Sequence, residues 1–113
     1  MPIPSEILAL IDRLNQELEQ TERDATEGLS LARQRLSRFP DNIVLTQFFA
    51  ALSNILLFVE IYRGRIQSIV DRISPENVPN EIIQEAGEDL GIILGRVLEV
   101  KINANRLKTR LEN

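Results

Sequence analysis

The stretch Ile43-Val44-Leu45-Thr46-Gln47-Phe48-Phe49-Ala50-Ala51-Leu52-Ser53-Asn54-Ile55-Leu56-Leu57-Phe58-Val59-Glu60-Ile61-Tyr62 decides the fold. Its main seam, Leu45, Phe48, Leu52, Ile55, Val59 and Tyr62, runs on through Ile66, Ile69 and Ile73 in alternating steps of three and four. That is the period of an α-helix packed against other helices. Only Thr46, Gln47, Ser53, Asn54 and Glu60 are polar in the stretch. At about 100° per residue they fall on two narrow strips, one of Thr46, Ser53 and Glu60, the other of Gln47 and Asn54 continued by Arg65 and Arg72. Between the strips lies a second apolar stripe, Ile43, Ala50, Leu57 and Ile61, facing away from the main seam. A helix with two apolar faces needs two sets of neighbours.

Upstream, the pattern is closed off by Phe39-Pro40, because the residue before a proline is pushed out of the α region. Asp41 is the expected cap of the second helix. Before it, Ser5, flanked by Pro4 and Glu6, reads as the N-cap of a first helix. That helix carries Ile7, Ile11, Leu14, Leu18, Ala25, Leu29, Ala32 and Leu36 on one side, with charge, including Glu22, over the rest. Downstream, Ser74-Pro75-Glu76-Asn77-Val78-Pro79-Asn80 is turn chemistry. A third helix then carries Ile83, Ala86, Leu90, Ile93, Val97, Val100, Ala104, Leu107 and Leu111. The spacing predicts helices over about 5–38, 41–73 and 79–111 within a single domain, 1–113. At 1.5 Å per residue each is roughly 50 Å long, and short connections make neighbours antiparallel. The expected fold is all-α: an elongated up-down-up three-helix bundle with coiled-coil-like packing.

Helix three brings Gly87, Gly91 and Gly95 onto one ridge, continued by Leu98 and Ile102. Glycine inside a helix costs about 1 kcal/mol relative to alanine. Three in register suggest a close helix contact, either between chains or within the bundle against Phe58 or Tyr62. Together with the second stripe of helix two, this places an oligomer interface on Ile43, Ala50, Leu57, Ile61, Gly87, Gly91, Gly95, Leu98 and Ile102, and the expected partner is a second copy in a homodimer. Helix two is long enough to cross a membrane, but Gln47, Asn54 and Glu60 interrupt it, which argues against a membrane location.

The chain has no cysteine and no histidine. Disulfides, thiolate metal sites and thiol nucleophiles are thereby excluded, along with the commonest general base and metal ligand. No catalytic constellation or cofactor motif emerges, and the expectation is a non-enzymatic interaction or scaffold protein without cofactor or metal. Glu85, Glu88 and Asp89 lie within one turn but read as a solvated acidic face. The beginning of the sequence lacks the basic and apolar regions of a signal peptide, so a cytoplasmic location is expected.

The net charge is −4, from 13 basic and 17 acidic residues. In an up-down-up bundle, Arg33, Arg35, Arg38, Arg106, Lys108 and Arg110 gather at one tip. Glu6, Asp12, Asp71, Glu76, Glu81, Glu85, Glu88 and Asp89 gather at the other. A nucleic-acid-associated accessory protein using the basic tip is the alternative reading. Against it stand the acidic pI of about 4.9 and the absence of interleaved aromatic residues. The charge preferences of helix ends account for part of the gradient.

The segments Arg38-Phe39-Pro40-Asp41-Asn42, Ile73-Ser74-Pro75-Glu76 and Glu81-Ile82-Ile83-Gln84-Glu85-Ala86-Gly87-Glu88-Asp89-Leu90 resemble a family of small uncharacterised cyanobacterial helical proteins. That resemblance implies no activity. In architecture alone, the expected bundle is also similar to the paired-helix spacers of type I restriction specificity subunits, whose DNA-reading domains this chain has no room for.

Overall fold

Proline and asparagine set the helix ends. In the computed structural model, which describes residues 3–113, three helices follow one another: α1 (Ser5–Arg38), α2 (Ile43–Ile73) and α3 (Asn80–Glu112). Met1 and Pro2, the start of the expected 1–113 domain, lie outside the described residues. Pro4, not Ser5, occupies the cap of α1: its carbonyl accepts from the Ile7 and Leu8 amides, and no side chain caps the helix. Pro79 does the same for α3, accepting from Ile82 and Ile83. The expected Asp41 cap is corrected to Asn42, whose side-chain oxygen accepts the Leu45 amide at 3.1 Å. Helix α2 therefore starts two residues later than expected, with Asp41 in the preceding turn. Between α2 and α3, Asn77 adopts a φ of 66°; asparagine is one of the few side chains that tolerates this left-handed conformation.

The helices pack as an elongated all-α bundle of 59 × 19 × 16 Å, and the described residues contain no strand. Its core forms two clusters along α1, one around Leu14 and Leu18 and the other around Ala25 and Ala32, all four wholly buried. They meet the seam Leu45, Leu52, Ile55, Val59, Ile66, Ile69 and Ile73 of α2 and Ala86, Leu90, Ile93, Val97, Ala104 and Leu111 of α3. The seam expected for α2 is buried throughout except at Phe48 and Tyr62, which are half-buried.

Helix α1 approaches α2 closely at Gly28. A Cβ built there would lie 3.0 and 3.1 Å from the two terminal methyl carbons of Leu52, which is itself wholly buried. Larger side chains at this position must displace Leu52 or push the helices apart. Gly28→Leu is expected to destabilise the chain by about 1–3 kcal/mol through overpacking, read as a lower midpoint in urea unfolding. An unchanged or higher midpoint would show that the crossing can open without cost.

Candidate functional site

Helices α2 and α3 both lean on α1, so the faces they turn away from it are uncovered. On α2, Ile43 is 71% exposed, Leu57 58% and Ile61 47%, and Ala50 is exposed beside them. The second stripe thus lies on the surface of the bundle. On α3, Ile92, which sequence reasoning did not single out, is 68% exposed. It lines an open groove between the two helices with Ile61, Gly64, Arg65, Ser68, Ile69, Asp89 and Ile93. Arg72 reaches across the same groove to Asp89 at 3.5 Å, and Arg65 stacks on Tyr62 at 5.0 Å. Phe58 and Tyr62 form a tilted aromatic pair with centroids 4.1 Å apart.

The glycine ridge has a different setting. A Cβ at Gly87 would meet Ile7 of α1 at 3.7 Å, an ordinary contact, and one at Gly91 or Gly95 would meet nothing within 4 Å. A Cβ at none of the three would lie within 4 Å of Phe58 or Tyr62. Gly87 points toward α1, whereas Ile92 points toward the α2 groove. At about 100° per residue, the half-buried Leu98 and the exposed Gly91 stay near Gly87 on the flank of α3 nearer α1, whereas the exposed Ile102 and Gly95 turn outward, Gly95 lying nearer Ile92 than Gly87. The nine residues of the expected interface therefore do not form one face: Ile43, Ala50, Leu57 and Ile61 lie on the uncovered side of α2, Gly87, Gly91 and Leu98 on the flank of α3 nearer α1, and Ile102 and Gly95 between that flank and Ile92.

The basic tip is also rearranged by packing. The Lys108 ammonium donates to Asp24 at 3.2 Å and lies 3.2 Å from Glu27, and its side chain keeps 18% exposure. Asp24, 2% exposed, accepts further hydrogen bonds from Gln20 at 3.1 Å and Asn105 at 3.4 Å. One heptad earlier on both helices, Lys101 donates to Glu17 at 2.8 Å. These contacts form a polar layer between α1 and α3. Lys108 belongs to that layer and is not a free cation of the tip. Arg33 lies 5.8 Å from the Phe49 ring centre. Arg35 and Arg38 line an open recess at the same end with Leu31, Phe39, Leu45, Leu111 and Glu112. Glu22 is likewise not a bystander, because Arg63 of α2 donates to both its oxygens at 3.0 and 3.1 Å.

Among the described residues no group of three acidic side chains is placed to hold a metal ion. Helix α2 is long and apolar enough to cross a membrane by length and composition. No family model, no curated protein and no solved structure matches this chain.

Two groups carry a clear electrostatic signature. The hydrogen bonds that it donates to Asp24 and Glu27 hold the Lys108 ammonium above the ordinary lysine range. The hydrogen bonds from Arg63 hold the Glu22 carboxyl below the ordinary carboxylate range. A raised lysine stabilises the fold below its unfolded pKa, and that contribution disappears as pH rises through the folded value. A lowered carboxylate acts in the opposite sense and loses its contribution as pH falls through its folded value. Lys108→Met is expected to lower the melting temperature, because Asp24 is left buried with its charge uncompensated. Lys108→Met should itself flatten the alkaline limb of the stability profile, and adding Asp24→Leu should recover most of the lost melting temperature. A melting temperature unmoved by Lys108→Met would mean that the polar layer does not stabilise the fold.

Proposed function

We propose that this protein is a non-enzymatic helical scaffold that self-associates as a homodimer through the side of the bundle turned away from α1. The observation that carries this reading is the exposure of Ile43, Leu57, Ile61 and Ile92 on one elongated side of the bundle. Burying a leucine or isoleucine side chain is worth roughly 1.5–3 kcal/mol. Contiguous exposed apolar surface on a soluble protein usually marks a partner site. Two-fold homodimers are the commonest oligomers because one self-complementary patch serves both copies. In this reading α2 and α3 of both copies form a coiled-coil-like centre, α1 lies outside, and the assembly works in the cytoplasm by presenting its outer helical surfaces to other proteins.

Light scattering coupled to size-exclusion chromatography tests the reading, with a dimer mass expected for the unmodified chain. Leu57→Glu should loosen the dimer by at least about 100-fold, because a carboxylate would be forced into an apolar contact. Gln16→Lys, on the exposed side of α1, should change nothing. A stable monomer at tens of micromolar would overturn the proposal.

The glycine ridge is expected at the margin of this contact. Gly91→Ala with Gly95→Ala should raise stability by about 1 kcal/mol per site while leaving the dimer mass unchanged in the same scattering measurement. Loss of the dimer in that variant would instead place the ridge inside the contact.

A further inference from the structure

The side of the bundle opposite α1 is self-complementary in only one direction. On α3, Glu81, Glu85, Arg106 and Arg110 are all exposed, and among the described residues none forms an ion pair within the chain. At about 100° per residue they fall within a narrow arc around Ile92, the residue that faces Ile61 across the groove. The two acids sit near the start of Asn80–Glu112 and the two arginines near its end, at matching distances from its middle.

Two two-fold arrangements can bring this side of one chain onto the same side of another. With the axis along the bundle, α2 lies on the partner's α3 and like ends meet. With the axis across the bundle, α2 lies on its own copy, α3 on its own copy, and opposite ends meet. We infer that the homodimer has the second, antiparallel arrangement, with Glu81 and Glu85 of one chain facing Arg110 and Arg106 of its partner.

In the first arrangement, Arg106 and Arg110 would face the N-terminal half of α2, where Ile43–Val59 carries no charge. The acids would face Arg72, already paired with Asp89, and Arg65, which stacks on Tyr62 and is a single cation for two acids. The acid-rich ends would also be pressed together. The crosswise arrangement sets Glu81 and Glu85 against arginines and Arg106 and Arg110 against acids, and sets Leu57 and Ile61, which straddle the middle of α2, against each other across the axis. Size agrees: a side 59 Å long and 19 Å wide offers roughly 1,100 Å², above the roughly 800 Å² per partner of a stable interface. Complementary charge of this kind fixes orientation more than it adds affinity.

This inference rests on the homodimer reading, and the test separates the two. The chain has no cysteine, so a nitroxide can be placed at Asp41→Cys, near one end of α2, or at Glu60→Cys, near its middle, and the distance between copies read by pulsed electron resonance. The antiparallel dimer predicts Asp41 labels about 50 Å apart, from 1.5 Å of rise per residue, and Glu60 labels within about 25 Å. A dimer by mass with both distances under about 30 Å overturns the orientation and leaves the dimer standing; a monomer by mass overturns both. Charge reversal supplies a second readout. Glu81→Arg with Glu85→Arg should loosen the dimer on the order of ten-fold, and adding Arg106→Glu with Arg110→Glu should restore it. Failure of that restoration in a folded dimer counts against the antiparallel pairing.

Discussion

The wedge of α1 between α2 and α3 is the constraint from which the rest of the architecture follows. Leu14, Leu18, Ala25 and Ala32 are wholly buried along a single stripe, and both other helices spend their best apolar seams on it. Small residues let the helices approach: Ala25 and Ala32 on α1, Ala86 and Ala104 on α3, and Gly28 where even a Cβ would press on the methyl carbons of Leu52. A three-helix bundle satisfies one stripe per helix. Helix α1 has only one. Helix α2 has two, and its second, from Ile43 to Ile61, remains on the surface as a direct consequence of geometry.

The polar contacts complete this asymmetry. Helix α1 is tied to α3 through Glu17–Lys101 and the Asp24–Lys108–Asn105 cluster, and to α2 through the forked Glu22–Arg63 pair. Asp24 is almost wholly buried, yet the described residues leave no buried side-chain polar atom without a partner. Satisfied in this way, a buried carboxylate specifies an arrangement more than it adds net stability. The ties of α2 to α3 are looser, an exposed Arg72–Asp89 pair beside an open groove. The least covered side of the molecule is thus the one where α2 and α3 meet without α1.

Much of this was legible in the order of residues. The alternation of three and four from Leu45 to Ile73 and the prolines at 40, 75 and 79 mark three helices, and the exposure of the Ile43–Ile61 stripe follows from the two polar strips beside it. Other features were not readable because they depend on which helix faces which. Asn42 and Asp41 are both good caps, and only the backbone path chooses between them. The glycines at 87, 91 and 95 share a ridge on any wheel, but the side on which α1 lies decides that they flank the exposed face of α2 instead of joining it. Lys108 reads as a surface cation until Asp24, 84 positions earlier, is brought beside it. The one available signal was the repeat of an acid at 17 and 24 and a lysine at 101 and 108, a shared heptad in two helices that run the same way.

That repeat acts as a vernier on the register of the two helices. Sliding α1 by one heptad toward the end of α3 would leave Glu17 beside Lys108 and carry Asp24 past its last basic partner. Sliding it the other way would set Asp24 beside Lys101 and press Glu17 against the half-buried Leu94. Either slip keeps a single ion pair and strands the other carboxylate, and it also carries Gly28 away from Leu52, setting Thr21 or Arg35 in its place. Hydrophobic packing makes the rods adhere; two lysines seven residues apart, with the one glycine that fits against Leu52, help to fix where along each other they stop.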